Sequence, residues 1–472
     1  MRTAIATIAL LAGGVAGCAR NPVTGQRQFV LMSEGQEIQM GQEAAAQVER
    51  SLGLVPDSAL QRYVRGIGLR LAAKSERPKL PWRFGVIDDP TPNAFALPGG
   101  PVYITRGLLA LLDSEAELAS VLGHEIGHIT ARHAVTQMSR SQLTQLGLGV
   151  GMVLVPELQP FGDALGTGMQ LLFLKYGRDD ERQSDQLGFR YALAENYDVS
   201  EMDDVFAALA RASESEDEGS IPTWLSTHPA PQERIVEIGK LVAAAQLPAS
   251  PRLGRTELLN HIDGLVYGED PRQGFFRDGL FLHPDLRFQL RFPRDWRTQN
   301  LPDAVVAVSP NQDAVVQLSF DEGDAATAAN RFFSQQGVQA GRTGRETING
   351  NPAVVGYFQA QTQQGVVAGI ATFLTFNGRT YRLLSYTPSR LLNTYDATFR
   401  GVINSFATLT DPTALNVKPK RIDLVRLESA MSLATFNQRY PSTIPLTEVA
   451  LINQVTDTGA RLPAGTLVKR VN

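Results

Sequence analysis

In His124-Glu125-Ile126-Gly127-His128 all three polar side chains are of types that do metal chemistry. On an α-helix, residues four apart lie about 40° apart around the axis, so both imidazoles leave one face and can grip one metal ion. Glu125 sits beside them, placed to take a proton from a water at that metal. The surrounding sequence predicts a buried helix to carry the set. Ser114 and Glu117 form a capping box, and Asp113, Glu115 and Glu117 put negative charge on the first turn. From Leu118 to Ile129, Glu125 is the only charged side chain, and apolar residues occupy nearly every direction, as in a helix buried on all sides. Buried His and Glu groups need partners, because unpaired buried polar atoms are costly. Zinc supplies one.

A catalytic zinc takes three protein ligands and leaves a fourth position for water. A histidine ten residues after His124 would complete one known arrangement, but that position is Ala134. His133 points well off the ligand face and reads as a non-ligand. The favoured third ligand lies in Tyr176-Gly177-Arg178-Asp179-Asp180-Glu181-Arg182-Gln183-Ser184-Asp185. Glu181 and Asp185 share a helix face, so Glu181 can bind the metal while Asp185 accepts the free N–H of a ligand histidine and fixes its tautomer. Taken alone, the run reads equally well as a charged, solvated face. The upstream His-Glu-x-x-His tips the balance to Glu181.

At this point the chain resembles a known family, the HtpX/BepA/CAAX-prenyl-endopeptidase-like zinc metallopeptidases of the glutamate-ligand type. Four blocks carry the resemblance, in order. Asn93-Ala94-Phe95-Ala96-Leu97-Pro98-Gly99-Gly100 is similar to the family's edge-strand segment, and His124 to His128, continuing to Arg132-His133, to its active-site helix. Glu181-Arg182-Gln183-Ser184-Asp185 resembles the ExxAD block, with Ser184 where Ala is usual. Ser226-Thr227-His228-Pro229, followed by Glu233-Arg234-Ile235, resembles the late STHP…RI block. The resemblance implies a mainly helical zincin-type domain with a small edge sheet and one zinc ion per chain. It implies His124, His128 and Glu181 as zinc ligands, Glu125 as catalytic base, and His228 with Arg234 in transition-state stabilisation or gating.

The chemistry follows from the residue types as well. Zinc lowers the pKa of a bound water towards 7, Glu125 removes the proton, and the hydroxide attacks a peptide carbonyl. The developing oxyanion needs donors, for which His228 or Arg234 is the right type. Glu125 then passes its proton to the leaving amine. Asn93, Ala94 and Phe95, continuing to Leu97, are expected to form an exposed strand to which an extended substrate adds by backbone pairing. In some lipoprotein members of the family the histidine equivalent to His228 fills the fourth zinc position, so the resemblance also implies a competing role as an autoinhibitory latch.

At the amino terminus Arg2 precedes an apolar run from Ala4 to Val15 that ends in Val15-Ala16-Gly17-Cys18. That is a signal peptide with a lipobox, too short for a spanning helix. Processing would remove residues 1–17 and acylate Cys18, the single cysteine of the chain. Several acyl chains anchor firmly where one holds only marginally. Ala19 after the cysteine favours the periplasmic face of the outer membrane by bacterial sorting rules. With no second cysteine there is no internal disulfide.

The composition, 43% hydrophobic and 19% charged with net charge −4 over 472 residues, fits a folded chain of two or three domains and offers no basic field for nucleic acid. The expected fold class is α+β: residues 18–255 as the peptidase domain, 256–408 as an α+β accessory domain, a linker at 409–420, and a small module at 421–472. Residues 141–156 are the one other hydrophobic stretch, broken by glycines and ended by Pro156. Residues 143–174 read as helical elements and a loop near the cleft, either core packing or a lid or membrane-facing surface.

In the accessory segment residues 286–292 alternate strictly, and strand-like runs follow at 304–308, 314–320, 353–359, 366–375 and 380–386. Asn349-Gly350 and Asn377-Gly378 are hairpin turns, and helices are expected at 325–336 and 391–406. The pattern is similar to a PsbP-like fold, and His261 and His283 stand alone in it as structural residues. The terminal strand-helix-helix-strand order, with Leu462-Pro463-Ala464-Gly465-Thr466-Leu467-Val468-Lys469 as closing strand, resembles a LysM module without its opening Gly-Asp-Thr. Peptidoglycan binding and plain packing are equal readings of it. The whole reads as a lipid-anchored zinc endopeptidase of misfolded or misassembled envelope proteins. The rival reading is an envelope assembly factor or chaperone whose protease site is held shut by His228.

Overall fold

The computed structural model describes residues 18–148, 171–213, 223–229, 231–301, 304–362 and 365–472. Residues 1–17, expected as a signal peptide, and most of the hydrophobic stretch expected to be helical lie outside these residues. No helix among the described residues is long and apolar enough to cross a membrane.

After a short hairpin, Cys18–Arg20 with Arg27–Phe29, come helices α1 (Glu34–Leu52) and α2 (Ser58–Ala72). Ser33 and Asp57 cap them, their side chains accepting the amides of Gln36 and of Ala59 and Leu60. Strands β1 (Arg83–Ile87), β2 (Ala94–Ala96) and β3 (Pro101–Thr105) form a sheet in the order β1-β3-β2, β1 parallel and β2 antiparallel to β3. Alternation along the strands decides which helix covers which face. Ile87, Phe95, Leu97 and Tyr103 pack under Ala44, Val48 and Leu52 of α1. Phe84, Val86, Ala96, Val102 and Ile104 face the other way, into the core that holds α2.

That core is centred on α4 (Glu115–Ala131), which follows α3 (Arg106–Leu111) and is buried at every residue. Ser114 caps α4, its Oγ accepting the Glu117 amide, but the Glu117 carboxylate reaches past Ser114 to the Asp113 amide at 2.5 Å. Arg132, in the left-handed region at φ 62°, ends α4, and α5 (His133–Leu148) leaves in a new direction. Helix α6 (Arg178–Ala194) lies along α4 in close backbone contact. A Cβ on Gly123 would come within 3.0 Å of Gly188 Cα, and one on Gly127 within 3.0 Å of Ser184 Cα. These small residues let the two helices approach, and Glu181 and Asp185 are thereby set opposite the two histidines. Helices α7 (Met202–Ser213), α8 (Trp224–Thr227), α9 (Pro231–Ala244) and α10 (Arg255–Ile262) complete the layer.

The division at 255 falls too early. Leu258, Leu259, Ile262 and Leu265 belong to the α4 core, and so do Ile422, Leu433, Phe436, Val449, Ile452 and Val468 of the terminal segment. The terminal segment runs β-α-α-β: Ile422–Arg426 pairs antiparallel with Leu467–Val471 around helices Leu433–Arg439 and Leu446–Ile452. The expected closing strand is split, with Arg461–Leu462 pairing separately with Met431–Ser432. Where the chain leaves the peptidase core and where it returns, it pairs with itself: Ile422 N–H donates to Leu265 O and Tyr267 N–H to Lys420 O, both at 2.9 Å. The accessory domain is therefore an insertion, pinned at its root by the buried Arg106, which donates to Asp88, Val266 O and Gly268 O.

The accessory domain has its own aromatic core, including Phe281, Phe288, Trp296, Tyr381, Phe399 and Phe406. Its main sheet has seven antiparallel strands, from Arg297–Asn300 at one edge to Val338–Ile348 at the other, beside a second sheet of four. Helices Ala325–Phe333 and Leu392–Asn404 pack on them. Both Asn-Gly turns adopt positive φ at both residues, as tight hairpins require. The run 286–292 is a strand only over Phe288–Arg291, because Pro284 to Arg287 close a turn with Arg287 at φ 58°. The expected linker is ordered: Leu409 and Ala414 pack on Leu282.

Candidate active site

Four side chains from three elements converge beside α4. His124, His128, Glu181 and His228 each offer one ligand atom, all within 4.8 Å of one another and all buried. His124 Nε2 lies 3.0 Å from His128 Nε2, 3.3 Å from His228 Nδ1 and 3.6 Å from Glu181 Oε2. Glu181 Oε1 lies 3.5 Å from His128 Nε2 and 3.0 Å from His228 Nδ1. A tetrahedral zinc with bonds of about 2.1 Å spaces its ligand atoms about 3.4 Å apart. The donor set fits the ion. Charge agrees, since the buried carboxylates of Glu125, Glu181 and Asp185 face one guanidinium, Arg234, which leaves two negative charges for a dication to neutralise.

The histidine tautomers are set from behind. His124 Nδ1 is 2.9 Å from Asp185 Oδ1, so its proton sits there and Nε2 faces the cluster with a free lone pair. For His128 the relay has one more member. Gln183 Oε1 can only accept, so His133 Nε2, at 2.9 Å, carries the proton. His133 Nδ1 is then an acceptor for His128 Nδ1–H at 3.0 Å, which leaves His128 Nε2 bare. Burial lowers the pKa of both His128 and His133, and both rings are therefore neutral, as ligation needs. His133 is a buried prop behind a ligand.

Arg234 is committed to this scaffold. Its Nε and Nη2 bind Asp185 at 2.8 and 2.6 Å, and Nη1 lies 2.8 Å from Glu181 Oε2. Asp185 takes up Nε and Nη2, and the expected role as an oxyanion donor is left to Nη1, which makes no hydrogen bond. Burial by itself raises the Asp185 pKa, but Arg234 and the His124 hydrogen bond outweigh it and hold the carboxyl below its usual range. Glu181 behaves alike: burial is overcome chiefly by the charge of His228 and by the histidine nitrogens that face the carboxylate, and its pKa is held low.

Glu125 is fully buried, with Oε2 free of any hydrogen bond and Oε1 accepting the indole N–H of Trp224 at 3.1 Å. The sequence reading missed Trp224, Gln183 and Tyr176. Tyr176 lays its ring on His128 at 3.9 Å and beside His228 at 5.4 Å. The one sequence cue for Trp224 is its position four residues before His228.

The substrate-strand residues need correction. β2 is the edge in pairing order, with β3 its sole strand neighbour among the described residues, yet Asn93, Ala94 and Phe95 are buried. Helix α1 and Leu172 cover one face and α4 lies against the other. Among the described residues, only backbone along the unpaired edge of β2 remains for a partner. Of the other histidines, His261 stacks on Tyr63 at 3.8 Å and His283 packs among Phe281 and Phe288. Cys18 opens the first hairpin.

Residues 58–242 match the model of Peptidase family M48. A beta-barrel assembly-enhancing protease of Yersinia pestis is 30% identical over 223 residues, 45% of this chain and 45% of its own length. The mitochondrial metalloendopeptidase OMA1 of Schizosaccharomyces pombe is 29% identical over 236 residues, 48% of this chain and 67% of its own. The chain thus spans about half the length of the first of these relatives. The solution structure of cyanobacterial PsbP from Synechocystis sp. PCC 6803 aligns with 28% of this chain and 94% of its own at TM-score 0.24 and 16% identity. Residues 58–242, the stretch that holds His124, His128, Glu181 and His228, are thus similar to peptidase family M48.

Proposed function

We propose that the protein is a zinc-dependent endopeptidase, held by an acylated Cys18 on the periplasmic face of the outer membrane, that cleaves misfolded or misassembled envelope proteins. The observation that carries this reading is the buried His124–His128–Glu181 set with the unpaired Glu125 Oε2 alongside. When bound, zinc acidifies a water and polarises the scissile carbonyl. Glu125 takes the proton of the attacking water on Oε2 and returns it to the leaving amine. Asp185 and the His133–Gln183 relay hold the ligand imidazoles in register, and Arg234 holds Glu181 and Asp185. The free backbone edge of β2 receives an extended peptide, which gives broad selectivity for unfolded chains. A relative named as a beta-barrel assembly-enhancing protease supports an envelope substrate.

His228 favours a closed resting state. Its Nδ1 occupies the fourth corner of the donor set, where the attacking water belongs. The terminal module, sharing one core with α4, reads as a packing element of the peptidase, with peptidoglycan binding as the alternative use of residues 421–472. Purified protein should contain zinc and cleave casein, and Glu125→Gln should keep the metal and lose the cleavage. If that variant still repairs an envelope defect in cells, the assembly-factor reading replaces the protease one. A His228→Ala protein no more active than the parent would remove the latch.

A further inference from the structure

Trp224 connects the two halves of the closed site. Its ring, 1% exposed, stacks on His228 at 4.7 Å and meets His124 edge-on at 5.3 Å. Its N–H holds Glu125 Oε1 at 3.1 Å. His228 follows one turn later, and its amide donates to the Trp224 carbonyl at 2.8 Å, so the two side chains ride on one rigid turn, α8. On the far side, the Arg234 guanidinium lies 4.6 Å from the Trp224 ring centre, and Phe206 stacks on the indole at 5.4 Å.

We propose that Trp224 and His228 form a two-point lock, with the imidazole in the place of the attacking water and the indole N–H on the base that must deprotonate it. The lock rests on the closed-site reading of His228 and extends it to Glu125. The indole N–H ties down one oxygen of the Glu125 carboxylate, which must give up that hydrogen bond to turn towards the water. Because both groups share α8, a single displacement of that turn frees the metal and the base together. A latch made of His228, whose Nε2 lies 3.6 Å from Glu125 Oε1, would by itself leave the indole N–H on the base.

The same turn defines what opens the lock. The Trp224 backbone N–H donates to Pro92 O at 3.1 Å, immediately before β2. Asn93 O accepts from Thr105 of β3, so by alternation the Pro92 and Ala94 carbonyls point to the free edge. α8 therefore sits at the start of the edge where a substrate strand would pair. An extended peptide that takes the Pro92 carbonyl displaces the Trp224 amide and with it the indole and the imidazole. The opener is the backbone of an unfolded chain, which makes substrate its own activator.

The test uses the full chain with zinc, labelled with 5-fluorotryptophan, which gives one fluorine resonance for each of the three tryptophans. Glu125→Gln is the background, since its amide oxygen still accepts the indole N–H while cleavage is off. Unfolded, carboxymethylated casein should move the Trp224 resonance and leave those of Trp82 and Trp296 in place. An unmoved Trp224 resonance at saturating casein overturns the proposal. In otherwise unmodified protein, Trp224→Phe keeps an aromatic ring but loses the donor, and should cleave casein about tenfold faster at unchanged zinc content, the effect of removing one hydrogen bond to a charged group. A zinc-replete Trp224→Phe protein that cleaves at or below the parental rate assigns the N–H to holding Glu125 in its working orientation and sinks the lock. If no protein cleaves casein, the endopeptidase reading fails, and the fluorine resonance still decides whether the turn moves.

Discussion

Helix α4 has a buried charge cluster at each end, and the two are built on opposite terms. At its first turn the cation comes from the chain. Lys469, in the last strand, is fully buried and donates to Ala110 O at 3.1 Å and Leu112 O at 2.8 Å, with Asp113 at 3.6 Å. Gln454 donates to Glu117 at 3.0 Å. Burial pulls the Lys469 pKa down to about 7 and pushes that of Glu117 up to about 8, each opposed by the other's charge. At the far end, Glu125, Glu181 and Asp185 outnumber Arg234, and Oε2 of both glutamates has no hydrogen bond. A buried carboxylate met by a lysine of its own chain is a joint. One left two charges short, with imidazole lone pairs aimed at it, fits a metal ion. The same physics of burial yields structure at one end and chemistry at the other.

The comparison is broken most forcefully at the chemical end. Glu125→Gln should lower casein cleavage by about a thousandfold, the scale of losing a general base, with unchanged zinc content by metal analysis. An equal fall in zinc would mean that Glu125 is a ligand. At the structural end, Lys469→Met leaves the buried Ala110 and Leu112 carbonyls without their donor, and should cost about 3 kcal/mol of stability, as orphaning buried polar groups does. Denaturant titration measures it. If Lys469→Met instead strips zinc from a protein of normal stability, the two ends are not separate devices.

What was legible in the sequence follows the same division. His124 with His128, and Glu181 with Asp185, are pairs four residues apart on helices, and Glu125 lies beside the first pair, so local geometry exposes them. Ser184 in place of Ala keeps the α4–α6 contact close, a packing fact that the motif carries without explaining. Trp224 and Gln183 act across the fold, on Glu125 and His133, and their places beside His228 and inside the Glu181–Asp185 block do not reveal those partners. Lys469 was hidden more deeply, because its partners at Ala110 and Leu112 lie far back along the chain. The shared core of residues 258–265 and the terminal module with α4 had the same long reach, which is why the domain boundary was placed too early. The hairpins at Asn349-Gly350 and Asn377-Gly378 were readable because their positive φ values need those residue types.

A smaller test lies between base and joint. Asp185→Ala removes the acceptor that fixes the His124 tautomer and frees Arg234 from its main partner. Zinc affinity by chelator competition should fall about 10–100-fold, the range for losing such a supporting group. Gln183→Ala, which acts through His133 at one remove, should fall at the lower end of that range. An equal or larger loss for Gln183→Ala would show that the His128 relay, and not Asp185, is the main determinant of ligand geometry.

The smallest effect distinguishes surplus charge at the two ends. Glu201 accepts from Ser114 Oγ at the joint, 3.2 Å away, and its pKa is raised to about 7, first by burial and then by Asp204. An acid with a raised folded pKa binds its proton more tightly in the native state. Stability is therefore lost as pH rises from about 4.5, the unfolded value, through about 7, and the full cost is present above that. Glu201→Gln removes the cost, so its melting temperature should exceed the parent's by about one or two degrees at pH 8 and match it at pH 4, after allowance for partial exposure. At the metal end the sign reverses: with zinc present, Glu181→Gln should melt lower than the parent at pH 8, because that carboxylate is matched to a dication. If Glu201→Gln also melts lower at pH 8, its charge is answered within the joint, and the surplus belongs to the metal end alone.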